Sequence, residues 1–199
     1  MTHHDNYGTA APASPATTHQ ENIKGFGTVS MRPVVPASDA DTLHAWVSQE
    51  RARYWGMLGA DRARVHEVYT YVDSLTTHHA HLVHLDGNPV ALFQSYQPEH
   101  DPVAECYEVQ PGDYGIHILI APPDGPNRPN FTGHLLGYFL THLLENPDRK
   151  RIVAEPDARN DRAIARFLRA GFTKGPEIQL PDKRAQLVFL NRENHRRTS

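Results

Sequence analysis

The sequence predicts one mixed α/β domain, with a mixed central sheet of about seven strands and about four helices. Three observations carry this expectation. Alternating apolar runs of strand length recur along the chain, and runs at helical spacing lie between them. Asp86-Gly87-Asn88 joins two β-rich runs, the mark of an antiparallel hairpin. A leucine-rich helical run separates the strands near 113–120 and 151–155, the mark of a parallel crossover. At 199 residues, with 39% hydrophobic and 22% charged content, the chain can bury one sizeable core.

Taken in order, residues 1–25 are expected to be a flexible tail. They hold too few apolar residues to offset their ordering entropy, and His3, His4 and His19 read as solvated rather than ligating. The domain is expected to span 26–192, followed by a polar tail, 193–199. Thr28–Pro33 alternates and predicts the first strand. Ser38-Asp39-Ala40-Asp41 predicts a capping-box start for a helix with Leu43, Trp46 and Val47 on one face. The period fails at Arg53–Met57, which reads as a loop or broken helix. Val65, Val68, Val72 and Leu75 then predict a second amphipathic helix from Asp61 to about Thr76.

The hairpin 79–85 and 89–96 comes next. Residues 97–112 carry Pro98, Pro102 and Pro111 and predict a loop, with room for a short strand near Tyr107. Beyond strand 113–120, a Pro/Gly/Asn loop leads to a helix at about 131–145. Strand 151–155 follows, then a helix ending at Gly171 and a last strand pair, 173–180 and 185–190.

Several function classes are set aside at this level. A net charge of −3 gives no reason to expect a nucleic acid or an anionic membrane as partner. No apolar stretch reaches the length of a membrane span, and no signal peptide is recognisable. With Cys106 as the single cysteine, no intrachain disulfide forms, which fits a cytoplasmic protein. His78, His79, His81 and His84 invite a metal reading, but no cysteine or carboxylate completes a closed site there, so no metal is expected.

The residues suited to chemistry gather within 113–172. The loop from Ala121 to Gly133 enters a helix, whose first amides and dipole suit a phosphate. Arg128 adds positive charge, and Gly133 allows close approach. A plain connecting loop explains the same residues. His117 shares a strand face with Gly115 and Leu119, opposite Ile116, Ile118 and Ile120. Two readings stand for it: a hydrogen-bonded histidine at a sheet edge, or a general base beside the anion loop. Asp157 and Asn160 are either turn and cap residues or site residues.

These residues also carry a resemblance. Asn160, Ala163, Phe167, Gly171 and Phe172 match the N-x-x-A-x-x-x-(Y/F)-x-x-x-G-F pattern of GNAT-fold acyl-coenzyme A N-acyltransferases. The chain is closer to one branch, the siderophore-biosynthesis acyltransferases that acylate hydroxylamine or lysine nitrogens. It resembles them in His44-Ala45-Trp46, Tyr54–Met57, Asp86–Val90 leading to Tyr96, Tyr114–Ile120, Glu155-Pro156-Asp157-Ala158-Arg159-Asn160 and Pro181–Ala185. The resemblance covers about residues 27–192, and the G-x-H and E-P-D-x-R-N segments are its most specific parts.

The resemblance implies the GNAT fold and transfer of an acyl group, acetyl or succinyl, from coenzyme A. The acceptor would be a small hydroxylamine or amine, with N-hydroxycadaverine and N6-hydroxylysine first, and the product an iron-chelating hydroxamate. It implies His117 as general base, with Asp157 assisting it or holding the acceptor. Acyl-CoA would lie against Ile118, Leu119, Ile120, Arg128, Asn130, Phe131, Thr132, Gly133, His134, Asn160 and Phe167, and the acceptor against Trp55, Gln94 and Tyr96. A homodimer is compatible with this reading. Two departures stand out: Phe131 replaces the first glycine of the (Q/R)-x-x-G-x-(G/A) loop, and Phe167 stands where many relatives place a tyrosine acid. Transfer to another amine, an antibiotic or a protein lysine, and a non-catalytic CoA-binding module remain as alternatives.

Overall fold

The computed structural model describes residues 17–126 and 128–195. Its strands are β1 (His19–Ile23), β2 (Gly27–Pro33), β3 (His78–Leu85), β4 (Asn88–Tyr96), β5 (Asp113–Ile120), β6 (Arg151–Ala154), β7 (Thr173–Gln179) and β8 (Arg184–Asn191). They form one sheet in the order β1-β2-β3-β4-β5-β6-β8-β7, with β5–β6 its parallel pair. The helices are α1 (Pro36–Val47), α2 (Arg62–Ser74), α3 (Phe131–Glu145), α4 (Asp161–Arg169) and the single turn α5 (Arg192–His195). Among the described residues, no helix is long and apolar enough to cross a membrane.

The strand faces sort the core. Ile116 of β5, Val83 of β3 and Phe93 of β4 pack with Leu135, Phe139 and Leu143 of α3. Leu119, Leu82 and Leu92 face the other way, against Leu43 and Val47 of α1 and Val65 and Tyr69 of α2. Alternation along β5 thus divides the layers, and His117 is sent to the α1/α2 side.

One irregularity positions the site. β5 pairs with β4 from Gly115 to Ile120, but with β6 only through Asp113–Gly115. After Ala154 the chain turns to β8: Gln186 N–H donates to Pro156 O, and Ala158 N–H to Arg184 O. Pro156 itself has no N–H to give back to β5. The two parallel strands therefore part, and Ile116–Ile120 keeps one edge without a strand partner.

Four expectations are corrected. The ordered chain starts before residue 26, because His19–Ile23 forms the edge strand β1. Most of that strand is exposed, so no apolar alternation announces it. What holds it is the ladder to β2 and a bond from Tyr138 OH to His19 O at 2.8 Å. The remainder of the expected N-terminal tail, 1–16, lies outside the described residues. At the other end, 192–195 forms a helical turn, and 196–199 lies outside the described residues. Helix α1 starts at Pro36, with Ser38 and Asp39 inside its first turn. There the Asp39 carboxylate accepts from Val35 N–H and pairs with Arg32 at 2.7 Å, anchoring the helix to β2. Finally, residues 98–105 form two short 3-10 turns, and no strand forms near Tyr107.

Candidate active site

His117 stands opposite Gln94 on β4, at the point where β5 loses β6. Its Nε2 bonds Glu155 Oε1, and Gln94 Oε1 lies 3.4 Å from Nδ1. The imidazole is one-third exposed, whereas Glu155 is buried at 4%. Glu155 also accepts from Tyr96 OH at 2.8 Å and has Lys183 Nζ at 3.9 Å. Burial alone would raise the Glu155 pKa, but His117, Lys183 and Tyr96 together hold it below the ordinary carboxylate value. Glu155 is then an anion that accepts from Nε2–H; in that tautomer Nδ1 and Gln94 Oε1 are both acceptors, so their 3.4 Å approach is a contact and not a hydrogen bond.

Tyr96 was expected at the acceptor surface, but it is 1% exposed. Burial and Glu155 push its pKa well up, so it stays a phenol and donates to Glu155. Its ring lies over Gly115, where a Cβ would collide with it. This close approach is why β5 carries glycine there. Trp55 and Gln94 do reach the imidazole: the Trp55 ring meets it edge-on at 6.3 Å, with Nε1 donating to Tyr69 OH.

Asp157 does not touch His117. It is 5% exposed and accepts from Arg159 N at 2.9 Å, Nε at 2.9 Å and Nη2 at 2.7 Å. Those bonds, outweighing burial, hold its pKa down to about 2. Arg159 is largely exposed, and its carbonyl accepts from Tyr54 OH at 3.2 Å. The expected role of orienting the imidazole thus falls to Glu155, and Asp157 forms an ion pair at the rim.

At the start of α3, the cap residue Asn130 takes a left-handed φ of 51°. Its side chain occupies the space a Cβ on Gly133 would need. Phe131 N–H is spent on Arg128 O and His134 N–H on Asn130 O. The amides of Thr132 and Gly133, in the first turn, have no intrahelical acceptor. Arg128, expected beside the anion, instead donates to Phe26 O at 2.8 Å and approaches Asp86 at 3.5 Å. Phe131 and His134 turn their rings onto Phe26, at 5.6 and 4.6 Å.

Positive charge at this mouth comes from elsewhere. Arg51 donates to Ile120 O at 2.7 Å, and Arg166 to Asn130 Oδ1 at 3.2 Å. Burial lowers the pKa of both, and Arg162 adds repulsion at Arg51. On β5, Ala121 N–H donates to Val90 O, so the alternating ladder turns the backbone of Leu119 and His117 toward β4 as well. Ile118 and Ile120 then direct theirs to the unpaired edge.

A model of the acetyltransferase (GNAT) domain family matches residues 35–180. The chain belongs to the GNAT family. It is 28% identical over 170 residues to an N(6)-hydroxylysine O-acetyltransferase of Escherichia coli, covering 83% of this chain but 53% of that protein. It thus spans about half the length of that relative. It is 23% identical over 168 residues to an N-hydroxyputrescine acetyltransferase of Acinetobacter baumannii, covering 82% and 78%. Among solved structures it is similar to the aminoglycoside acetyltransferase AAC(6')-Ib in complex with coenzyme A. The TM-score is 0.75, with 26% identity and 85% and 98% coverage.

Within this GNAT chain, the remaining expected CoA contacts are occupied structurally. Asn160 caps α4 by accepting from Ala163 N–H at 3.2 Å, and Phe167 is buried against Phe172 at 5.0 Å. Glu155, Arg51 and Arg166 were not singled out in the sequence. The signal for Glu155 is a carboxylate just past the end of an apolar strand, within E-P-D. For the arginines, separated by more than a hundred residues, no local signal existed.

Proposed function

We propose that this GNAT chain transfers an acetyl or succinyl group from acyl-CoA to the hydroxylated nitrogen of a small amine, N-hydroxycadaverine or N6-hydroxylysine first. The observation that most supports this reading is the His117–Glu155 pair, a one-third exposed imidazole on a buried carboxylate, beside an unpaired strand edge and a helix start. The pyrophosphate would accept from Thr132 and Gly133 amides, with Arg51 and Arg166 alongside. The thioester would extend along Ile116–Ile120 as a further strand partner. Names of the relatives support a hydroxylated amine as acceptor, and AAC(6')-Ib supports coenzyme A as the carrier.

The acceptor nitrogen attacks the thioester carbonyl while its proton passes to Nδ1 of His117, displacing the loose Gln94 contact. Glu155 stabilises the resulting imidazolium. A β5 amide on the unpaired edge meets the oxyanion. The C–N bond forms, the C–S bond breaks, and the thiolate leaves. Phe167 cannot protonate it, and a thiol pKa of about 8.5 makes that unnecessary. The Asp157–Arg159 pair orients the acceptor from the rim beside Trp55. Both substrates bound together make direct transfer the mechanism, with proximity supplying much of the rate. We place this chemistry in the cytoplasm.

The test is His117→Ala. Turnover should fall about 10²–10⁴-fold while acyl-CoA binding, measured by calorimetry, stays as in the wild type. Unchanged turnover would sink the base assignment.

A further inference from the structure

On the sheet face opposite His117, β1 and the last turn of α3 bring together three groups suited to a metal. His19, His142 and Glu145 each place a ligand atom within 4.8 Å of the others. We infer that His19, His142 and Glu145 form a binding site for a divalent transition ion, of which Zn²⁺ is the best fit, clamping β1 onto α3.

Four observations carry this. First, His142 and Glu145 are three apart on α3, so they share a helix face. His142 Nδ1 lies 3.3 Å from Glu145 Oε2. A tetrahedral Zn²⁺ site with bonds of about 2.0–2.1 Å has an edge of about 3.3 Å. Second, that Nδ1 is buried and, apart from the approach of Glu145 Oε2, makes no hydrogen bond, which leaves it open to a cation shared with that carboxylate.

Third, His19 is fixed rather than loose. Its carbonyl takes the Tyr138 hydroxyl at 2.8 Å, and its ring lies 5.1 Å from Tyr138 and 4.6 Å from His142. Fourth, His142 also lines a cavity of about 250 Å³ with His79, His81, Ser95 and Tyr114. Of the three groups only His142 lines that space, which is large enough to hold water. The negative end of the α3 dipole further favours a cation at this turn. Two histidines and one carboxylate select zinc-like ions over magnesium or calcium, which prefer oxygen donors. Arg149 is the opposing charge: it donates to Leu143 O at 3.0 Å and lies over the Tyr114 ring at 4.0 Å, on the His142 side of the site.

The experiment is calorimetric titration of the metal-free full chain with Zn²⁺. Glu145→Gln and His142→Ala are run in parallel, and the Co²⁺ complex is followed by its visible d–d bands. We expect one ion per chain, a tetrahedral Co²⁺ spectrum, and binding weakened on the order of tenfold or more in both variants. Zn²⁺ should raise the wild-type Tm and leave that of Glu145→Gln unmoved. Glu145 is exposed, so its variant folds even if His142→Ala does not. No binding at micromolar Zn²⁺, or equal binding in Glu145→Gln, would overturn the site. The latter result would assign the metal to other histidines.

Discussion

At the scale of single residues the proposed reaction turns on Glu155, whose carboxylate faces Nε2 of His117 and so leaves Nδ1 to take the proton. A glutamine there keeps the volume but loses the charge that stabilises an imidazolium. Glu155→Gln should therefore lower kcat by about 10²–10⁴-fold with unchanged affinity for acyl-CoA, as read from steady-state kinetics and calorimetry. An unchanged kcat would leave Glu155 as packing alone. The E-P-D segment pointed at Asp157, two residues on. Residues two apart share a strand face, and only the break at Pro156 sends one carboxylate to His117 and leaves the other with Arg159. Spacing does not encode that break. His117 was legible because alternation on β5 places it by itself.

The decisive elements are β5 and α3. Strand alternation, the Asp86-Gly87 turn and the limits of α3 were all readable, since each is written in adjacent residues. The parting of β5 from β6 was not, because it depends on where a third strand, β8, captures the chain. Neither was β1, which is nearly all exposed.

Gly115 tests the parting directly. Gly115→Ala forces the Tyr96 ring off Glu155, and overpacking of this kind costs about 1–3 kcal/mol. Both Tm and kcat should drop, whereas a wild-type kcat would show that Tyr96 does not support the site. Asn160→Ala separates cap from cofactor contact. It should cost about 1 kcal/mol of stability and leave the KM for acyl-CoA unchanged. Arg51→Ala with Arg166→Ala should do the reverse, raising that KM severalfold with little change in Tm.

For the whole molecule, a buried histidine and a locally paired aspartate shape the response to pH. Burial pushes the His81 imidazole down to about 4. A histidine held neutral in the fold binds fewer protons than in the unfolded chain, so stability is lost as pH falls from about 6.5 toward 4. Asp157, held down to about 2 by Arg159, contributes stability present above its unfolded value. That contribution is lost as pH falls from about 4 toward 2. Thermal unfolding across pH should show both limbs, with His81→Gln flattening the first and Asp157→Asn the second. A profile that neither variant changes would contradict these assignments.

The most direct test of the proposed reaction is a rate panel. Thioester consumption from acetyl- and succinyl-CoA is measured against N6-hydroxylysine and N-hydroxycadaverine, with lysine, cadaverine and an aminoglycoside as plain amines. The account predicts a higher kcat/KM for the hydroxylated amines, products that bind iron(III), and loss of both in His117→Ala. Preference for the plain amines, or no thioester consumption despite bound acyl-CoA, would contradict it.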